Sequence, residues 1–315
     1  MDQVCNESAP SEFIFLAFSK LNECRFLLTG FLLITYLFTL MGNVLIIILV
    51  CLQPNLQTPM YFFLSNLSLL DICQTTTTIP EIIVHLISGT NAISYERCMM
   101  QLFFFILFIG TEPLLLAAMA YDRYVAICNP LRYNVVMNYK LCAQLVSASW
   151  FTSSLNATIH TLFTLRLPLC GINKINYFFC DIPPLLAISC GDISGNIIAM
   201  LAASPVMGIG PGMCVLLSYI HIILRVLKMH SSSGMRKAFS TCASHLTVVL
   251  LFYGSSMFQY VRPFSSYSLS KDSKIALLNN ILSPLLNPLI YTLRNNDVKE
   301  ALQKRMMKKI LSLKR

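Results

Sequence analysis

Seven long apolar blocks, separated by short polar segments, most restrict how this 315-residue chain can fold. Each block is long enough to cross the hydrocarbon layer of a bilayer, which takes about 20 helical residues. The sequence therefore predicts an all-α membrane protein built as a seven-transmembrane helix bundle. The predicted spans are Phe26–Cys51, Tyr61–Leu86, Met99–Cys128, Leu141–Leu165, Ile193–Leu227, Ala238–Val261 and Ile275–Leu293.

The composition points to the same conclusion. Apolar residues make up 56% of the chain and charged residues 12%, against roughly 25% charged in an average soluble domain. One soluble core could not bury that much apolar surface, so the excess is expected to face lipid. The first block is too long for a removed signal peptide and follows an acidic stretch, so we expect it to remain as the first span.

The distribution of Lys and Arg predicts the orientation. Fifteen of the 23 basic residues fall in the inner loops and the tail of one side, and by the positive-inside rule that side is cytoplasmic. We expect an extracellular tail at 1–25, the bundle at 26–293 and a cytoplasmic tail at 294–315 in a multi-pass plasma membrane protein. The tail's apolar residues recur at helical spacing among lysines, which favours a short amphipathic helix on the membrane. The net charge of +9 is then explained by anionic lipid and cytosolic partners, with no nucleic acid.

Four of the twelve cysteines lie on the outer side, where disulfides can form: Cys98, Cys170, Cys180 and Cys190. Three pairings are open on spacing alone. Asn6 begins the glycosylation sequon Asn6-Glu7-Ser8 on the outer tail.

Two acids lie at one depth in the bundle. Counting at 1.5 Å per residue, Asp71 is roughly 18 Å and Glu112 roughly 16 Å from the inner surface. Asn43 and Asn287 fall near the same level, which predicts a central polar cluster. It has two interpretations: a hydrogen-bonded packing core, or a site that binds a cation or changes protonation when the helices rearrange.

Several segments resemble the odorant receptors among the rhodopsin-like G-protein-coupled receptors. Residues 58–71 read TPMYFFLSNLSLLD and residues 284–297 read PLLNPLIYTLRNND. Residues 119–128 read MAYDRYVAIC and residues 237–246 read KAFSTCASHL, a combination close to unique to odorant receptors. The match covers nearly the whole chain.

The resemblance implies two disulfides, Cys98 with Cys180 and Cys170 with Cys190. It also implies that activation reorganises residues near the inner surface to admit a stimulatory olfactory-type G protein, which raises cyclic AMP. The triplet Asp122-Arg123-Tyr124 lies at the inner end of the third span, where a charge pair can be held in one state and exposed in another. The activation and coupling residues are Asp122, Arg123, Tyr124, Tyr219 and Tyr291.

The outer halves of the spans predict a mainly apolar pocket for a small neutral volatile odorant. Residues 98–110 contain no acid to anchor an amine, and the last span has no lysine for a retinal Schiff base. A few hydroxyls on the sixth span could hydrogen-bond the ligand. The predicted ligand-binding residues are Phe105, Ile106, Ile109, Gly110, Ala203, Met207, Tyr253, Ser256 and Tyr260.

Other functions fit less well. A transporter that uses Asp71 and Glu112 as an ion path is disfavoured because the spans show no inverted repeat. An enzyme is disfavoured because no nucleophile stands beside a base, and no metal or cofactor is expected because the five histidines are scattered. A rhodopsin-like receptor for an endogenous lipid or metabolite would differ only in its ligand.

Overall fold

A computed structural model describes residues 10–18, 24–169, 173–228, 232–260 and 269–294 of the chain. Seven long helices dominate these residues, one for each predicted span. The helices are α1 Arg25–Leu52, α2 Pro59–Ser88, α3 Tyr95–Cys128, α4 Tyr139–Leu165, α5 Ser194–Leu227, α6 Ser232–Tyr260 and α7 Leu269–Arg294. Most begin a few residues before the apolar block that predicted them, because capping residues and polar first turns extend each helix beyond its apolar part.

The bundle is apolar outside and partly polar inside. α1 exposes Phe26, Phe31 and Phe38, whereas its buried residues include Thr39 and Asn43. By length and hydropathy, α1, α3 and α5 are apolar enough to cross a membrane. The buried face of α2 carries acid, amide and hydroxyl side chains, among them Asp71, Gln74 and Thr75. An apolar outer surface around a polar interior is the arrangement expected in lipid.

α5 is interrupted by one turn of π-helix at Pro205–Ile209, between α-helical stretches at Ser194–Ser204 and Gly210–Leu227. Pro205 has no N–H to donate, so the regular hydrogen-bond ladder cannot pass through it. A Cβ at position 210 would lie 2.6 Å from the carbonyl oxygen of Pro205. Only glycine fits where the irregular turn rejoins the α-helix.

A three-stranded sheet covers part of the outer face, which the sequence analysis did not predict. β1 Glu12–Phe15 lies between β2 Ala92–Ser94, with which it is antiparallel, and β3 Lys174–Ile175, with which it is parallel. Phe13 and Phe15 on β1 are fully buried. The stretch expected to be an extracellular tail therefore contributes a strand and two large apolar side chains to the packed structure.

The predicted disulfide between Cys98 and Cys180 is confirmed, with the two Cα atoms 5.5 Å apart. It ties the start of α3 to the loop that follows α4, and Gln101 reinforces the tie by accepting a hydrogen bond from the Cys180 amide at 2.8 Å. Cys170, Asn6 and the residues of the predicted tail helix lie outside the described residues.

Candidate functional site

A cavity lies between α2, α3, α6 and α7, in the middle and outer part of the bundle. It is lined by ten residues: Gln74, Phe105, Ile109, Glu112, Phe252, Ser255, Ala276, Asn279, Asn280 and Ser283. Six of them carry polar side chains, whereas most of the lining surface is apolar.

The apolar wall comes mainly from α3 and α6. Phe105 and Ile109 are one turn apart on α3, so both point the same way. Phe252 faces the same space from α6, and Ala276 leaves room opposite on α7. The ring of Phe105 also packs on Phe179, at 4.9 Å between centroids, next to disulfide-bonded Cys180. The outer loop therefore fixes the position of the wall.

The polar wall is a chain of amide and hydroxyl groups between α2 and α7. The Gln74 Nε2 donates to the Asn280 Oδ1 at 3.4 Å, and the Asn280 Nδ2 donates in turn to the Thr78 hydroxyl. Asn279 Nδ2 donates to the carbonyl oxygen of Ser255 on α6 at 3.4 Å. These bonds hold α7 at fixed positions against α2 and α6, because buried amides need partners.

The floor of the cavity joins the central polar cluster. Ser283 donates to the Glu112 Oε1 at 2.7 Å. One turn deeper, Asn287 Nδ2 donates to both carboxylate oxygens of Asp71, at 3.2 and 3.1 Å. Asn43 donates to the carbonyl oxygen of Pro284 at 3.1 Å. All four residues named from depth alone are buried and lie on these contacts between α1, α2, α3 and α7.

Both acids are at most 1% exposed, and no ion pair among the described residues involves either of them. Their hydrogen bonds come from α7, so α7 and the acids form one unit. An arrangement of two buried carboxyl groups with neutral partners suits either a shared proton or a small cation.

The structure brings only some of the predicted pocket residues to the cavity. Phe105 and Ile109 line it, and Ile106 is buried beside them without lining it. Gly110 points toward α4 and α5, where an added Cβ would lie 2.9 Å from the Met207 methyl carbon and 3.1 Å from the Ser153 hydroxyl oxygen.

The remaining predictions for the pocket lie elsewhere. Tyr253 contacts Gly212 on α5, and Ala203 is half-buried on the same helix away from the cavity. The side chains of Ser256 and Tyr260 lie outside the described residues.

Sequence reasoning missed the amides and small polar residues of the cavity. Charged residues and aromatic stripes mark a pocket in a sequence, whereas Gln74, Asn279, Asn280 and Ser283 are neutral. Their spacing did hold a signal, because positions 276, 279, 280 and 283 share one face of a helix.

The inner half of the bundle holds a second polar network. Tyr219 on α5 contacts the His245 Nδ1 on α6 at 2.8 Å, and His245 Nε2 contacts the carbonyl oxygen of Leu116 on α3 at 3.1 Å. Because a carbonyl only accepts, Nε2 carries the proton and Nδ1 accepts from the tyrosine hydroxyl. One neutral histidine therefore joins three helices.

Asp122, in the triplet at the inner end of α3, contacts a tyrosine rather than forming the predicted charge pair. Asp122 accepts a hydrogen bond from the Tyr133 hydroxyl at 2.7 Å, and the described ion pairs do not include one with Arg123. Burial raises the pKa of Tyr133, and the neighbouring Asp122 raises it further. Tyr133 thus stays a proton donor at physiological pH. The aromatic ring of Tyr124 packs on His221 of α5, with centroids 5.8 Å apart.

Tyr291 near the inner end of α7 is buried beside a small apolar cavity of about 210 Å³ between α1, α2 and α7. The predicted coupling residues thus lie in the inner half of the bundle, separated from the main cavity by the central polar cluster.

The sequence profile of the olfactory receptor family matches residues 32–309. Human olfactory receptor 1C1 is 44% identical over 303 residues, which cover 96% of this chain and 96% of that receptor. Human olfactory receptor 1F1 is 46% identical over 299 residues, covering 95% of this chain and 96% of its own. Mouse olfactory receptor 5AP2 is 46% identical over 299 residues, covering 95% and 94%.

Among solved structures, squid rhodopsin superposes with a TM-score of 0.71 over 90% of this chain and 80% of the rhodopsin chain. The two sequences are 17% identical, so this likeness concerns the fold alone. It confirms the predicted seven-transmembrane helix bundle.

Proposed function

Because the chain belongs to the olfactory receptor family, we propose that it binds small, neutral, mainly apolar volatile odorants and activates a stimulatory olfactory-type G protein, which raises cyclic AMP. Membership of this family makes it a multi-pass plasma membrane receptor rather than an enzyme, with a small-molecule ligand and a G protein as partners. Our proposal adds the type of ligand, the kind of G protein and the orientation of the chain in the membrane.

The observation that carries this proposal is the cavity between α2, α3, α6 and α7. Phe105, Ile109 and Phe252 offer apolar contact along one wall, and six polar side chains stand opposite and below it. Burying about 200 Å² of apolar ligand surface contributes roughly 5 kcal/mol, which corresponds to a Kd of about 0.2 mM before other terms. Modest affinity of this kind is compatible with a receptor that responds to volatile compounds.

Activation is proposed to run through α7 and α6. The ligand cavity ends at Glu112 and Ser283, and a bound molecule that displaces this contact would shift α7 relative to α3. Tyr291 lies on α7, two turns further in than Ser283. Movement of α6 would break the bonds of His245 to Leu116 and Tyr219, which hold α6 against α3 and α5. Arg123, Tyr219 and Tyr291 are then free to reorganise around the C-terminal helix of the G protein.

The central cluster is proposed to act as the hinge of this movement. Asp71 and Glu112 both accept hydrogen bonds from residues of α7. A shift of α7 would therefore change the hydrogen bonds of both carboxyl groups together. Such a change favours uptake or release of a proton or a cation, since two nearby carboxylates do not both stay ionised without a counter-ion.

The orientation is proposed from charge. With the basic residues of 294–315 and of the loops before α4 and α6 on the cytoplasmic side, the cavity lies in the half of the bundle nearer the outside. The same orientation places the disulfide of Cys98 with Cys180 in the oxidising compartment.

The proposal is tested by a cyclic AMP reporter screen of neutral volatile compounds in cells that carry the olfactory G protein. Agonists should act on the wild-type receptor and fail on Arg123→Ala, because the guanidinium is proposed to contact the G protein. Lys140→Ala removes an exposed charge from the same side and should keep the response. A screen that yields only permanently charged or peptide agonists, or an Arg123→Ala variant with a full response, would contradict the proposal.

A further inference from the structure

One polar atom of the cavity wall has no partner. The Gln74 Oε1 is buried and accepts no hydrogen bond, and it is the only such atom among the ten described residues that line the cavity. The Gln74 side chain as a whole is 3% exposed and lies on α2 in the middle of the bundle. A buried acceptor without a donor is unfavourable, so the site favours a molecule that donates a hydrogen bond there.

The orientation of the amide follows from its neighbours. Gln74 directs its Nε2 to the Asn280 Oδ1, an acceptor, and its Oε1 is the half of the amide that faces no protein donor. Asn280 in turn directs its own amino group to the Thr78 hydroxyl. The amide groups of Gln74 and Asn280 thus donate toward α7 and α2. The Gln74 oxygen has no donor in the protein and is available to a ligand in the cavity.

Two donors of the cavity wall already have partners within the protein. The Ser283 hydroxyl donates its hydrogen to Glu112, and Asn279 donates to the carbonyl oxygen of Ser255. A ligand oxygen that only accepts can take a hydrogen from an amide NH2 group, but it leaves the Gln74 Oε1 without a donor.

We propose that Gln74 is a specificity-determining residue that selects hydroxyl-bearing ligands, namely alcohols and phenols, over ethers of the same carbon skeleton. This inference rests on the proposed function. The ligand hydroxyl donates to Gln74 Oε1, while its carbon skeleton packs on Phe105, Ile109 and Phe252. An ether has no hydrogen to donate, so it leaves the acceptor buried and unpaired.

A water molecule at Gln74 does not remove this preference. Water also donates a hydrogen bond, and a ligand that displaces it loses affinity unless it restores the bond. An alcohol restores the bond and an ether does not, so the discrimination between them persists whether the cavity is wet or dry.

The test compares matched pairs of probes: octanol, cyclohexylmethanol and phenylethanol, each beside its methyl ether. Potency is measured by the cyclic AMP reporter, and binding is measured separately as thermal stabilisation of the purified receptor in nanodiscs. The variant Gln74→Met keeps the length and volume of the side chain and removes its acceptor. The control Thr76→Val changes an exposed polar residue of the same helix, whose hydroxyl contacts Tyr36 on α1 and does not line the cavity.

The wild-type receptor and Thr76→Val should prefer each active alcohol over its ether by about five- to tenfold, as expected for one hydrogen bond. In Gln74→Met this ratio should fall to about one, because the alcohol loses potency while the ether keeps it or gains. A merely structural role of Gln74 would lower both members of a pair alike and leave the ratio unchanged.

Equal potency of alcohols and ethers on the wild type would overturn the inference without any variant, as would a ratio that survives in Gln74→Met. If Gln74→Met fails to reach the surface, Gln74→Asn withdraws the amide by one methylene and should reduce the same ratio. Alcohols that stabilise the purified receptor without raising cyclic AMP would contradict the proposed coupling and leave the role of Gln74 standing.

Discussion

The two sides of α3 differ in how tightly they are packed. Toward α2, α6 and α7, Phe105 and Ile109 border the cavity and its polar side chains. Toward α4 and α5, Gly110 is so closely packed that a single added carbon would lie 2.9 Å from Met207. Free space with polar groups at its edge suits a ligand, whereas close contact of small residues suits helix association. We therefore propose that the ligand of this receptor binds on the α2–α7 side.

The largest expected effect comes from filling the open side. Ala276→Phe adds a ring to the cavity wall on α7, where it would take the place of the ligand. We expect a loss of potency of more than about tenfold for every agonist, with surface staining retained because the ring enters existing space. The measurement is a cyclic AMP dose–response series.

Ala203→Phe is the matched control for this change. Ala203 is half-buried on α5, away from the cavity, so the added ring should leave potency unchanged. If Ala203→Phe abolishes the response and Ala276→Phe does not, the ligand lies on the α4–α5 side.

A substitution on the packed side of α3 should lower the stability of the receptor rather than change which ligands it binds. Gly110→Leu forces Met207 and Ser153 apart, and we expect a loss of about 1–3 kcal/mol in the free energy of unfolding. Thermal denaturation of the purified receptor measures this loss. Gly30→Leu provides the control, because an added Cβ there meets nothing within 4 Å. A Gly110→Leu receptor that unfolds like the wild type and loses only bulky agonists would show that this side is open.

The smallest expected change in agonist potency comes from shortening one of two neighbouring phenylalanines on α3. Phe105→Leu shortens the apolar wall of the cavity and should weaken agonists by about 1 kcal/mol, or about fivefold in potency. Phe104 is the adjacent residue, but its side chain is 45% exposed on the outside of the bundle. Phe104→Leu should therefore leave potency unchanged, and equal losses in both variants would mean that the effect comes from helix stability.

Sequence alone predicted the elements that follow from periodicity and charge. The seven spans correspond to the seven long helices because lipid requires apolar blocks of a minimum length. The central cluster around Asp71 and Glu112 followed from depth, since residues at one height in neighbouring helices meet if both face inward. The resemblance supplied the confirmed disulfide of Cys98 with Cys180.

The cavity was harder to predict because helix rotation decides which face of a span looks inward. Ile109 and Gly110 are consecutive, yet one lines the cavity and the other packs on α5. Burying a neutral side chain such as Gln74 in a membrane costs much less free energy than burying a charge, so such residues do not stand out in a sequence. They nevertheless form most of the polar wall. The outer sheet was missed because its β1 pairs with strands that follow it by more than 75 and 155 residues, beyond any local pattern.

Ligand protection of a single introduced cysteine tests the location of the odorant most directly. Ala276→Cys places a thiol in the cavity wall and Ala203→Cys places one on α5, and site-resolved mass spectrometry follows the reaction of each with a membrane-permeant maleimide. A saturating agonist should slow modification at position 276 by about tenfold or more and leave position 203 unchanged, because a bound ligand covers only the cavity. Protection at position 203 with none at position 276 would contradict a ligand site between α2, α3, α6 and α7.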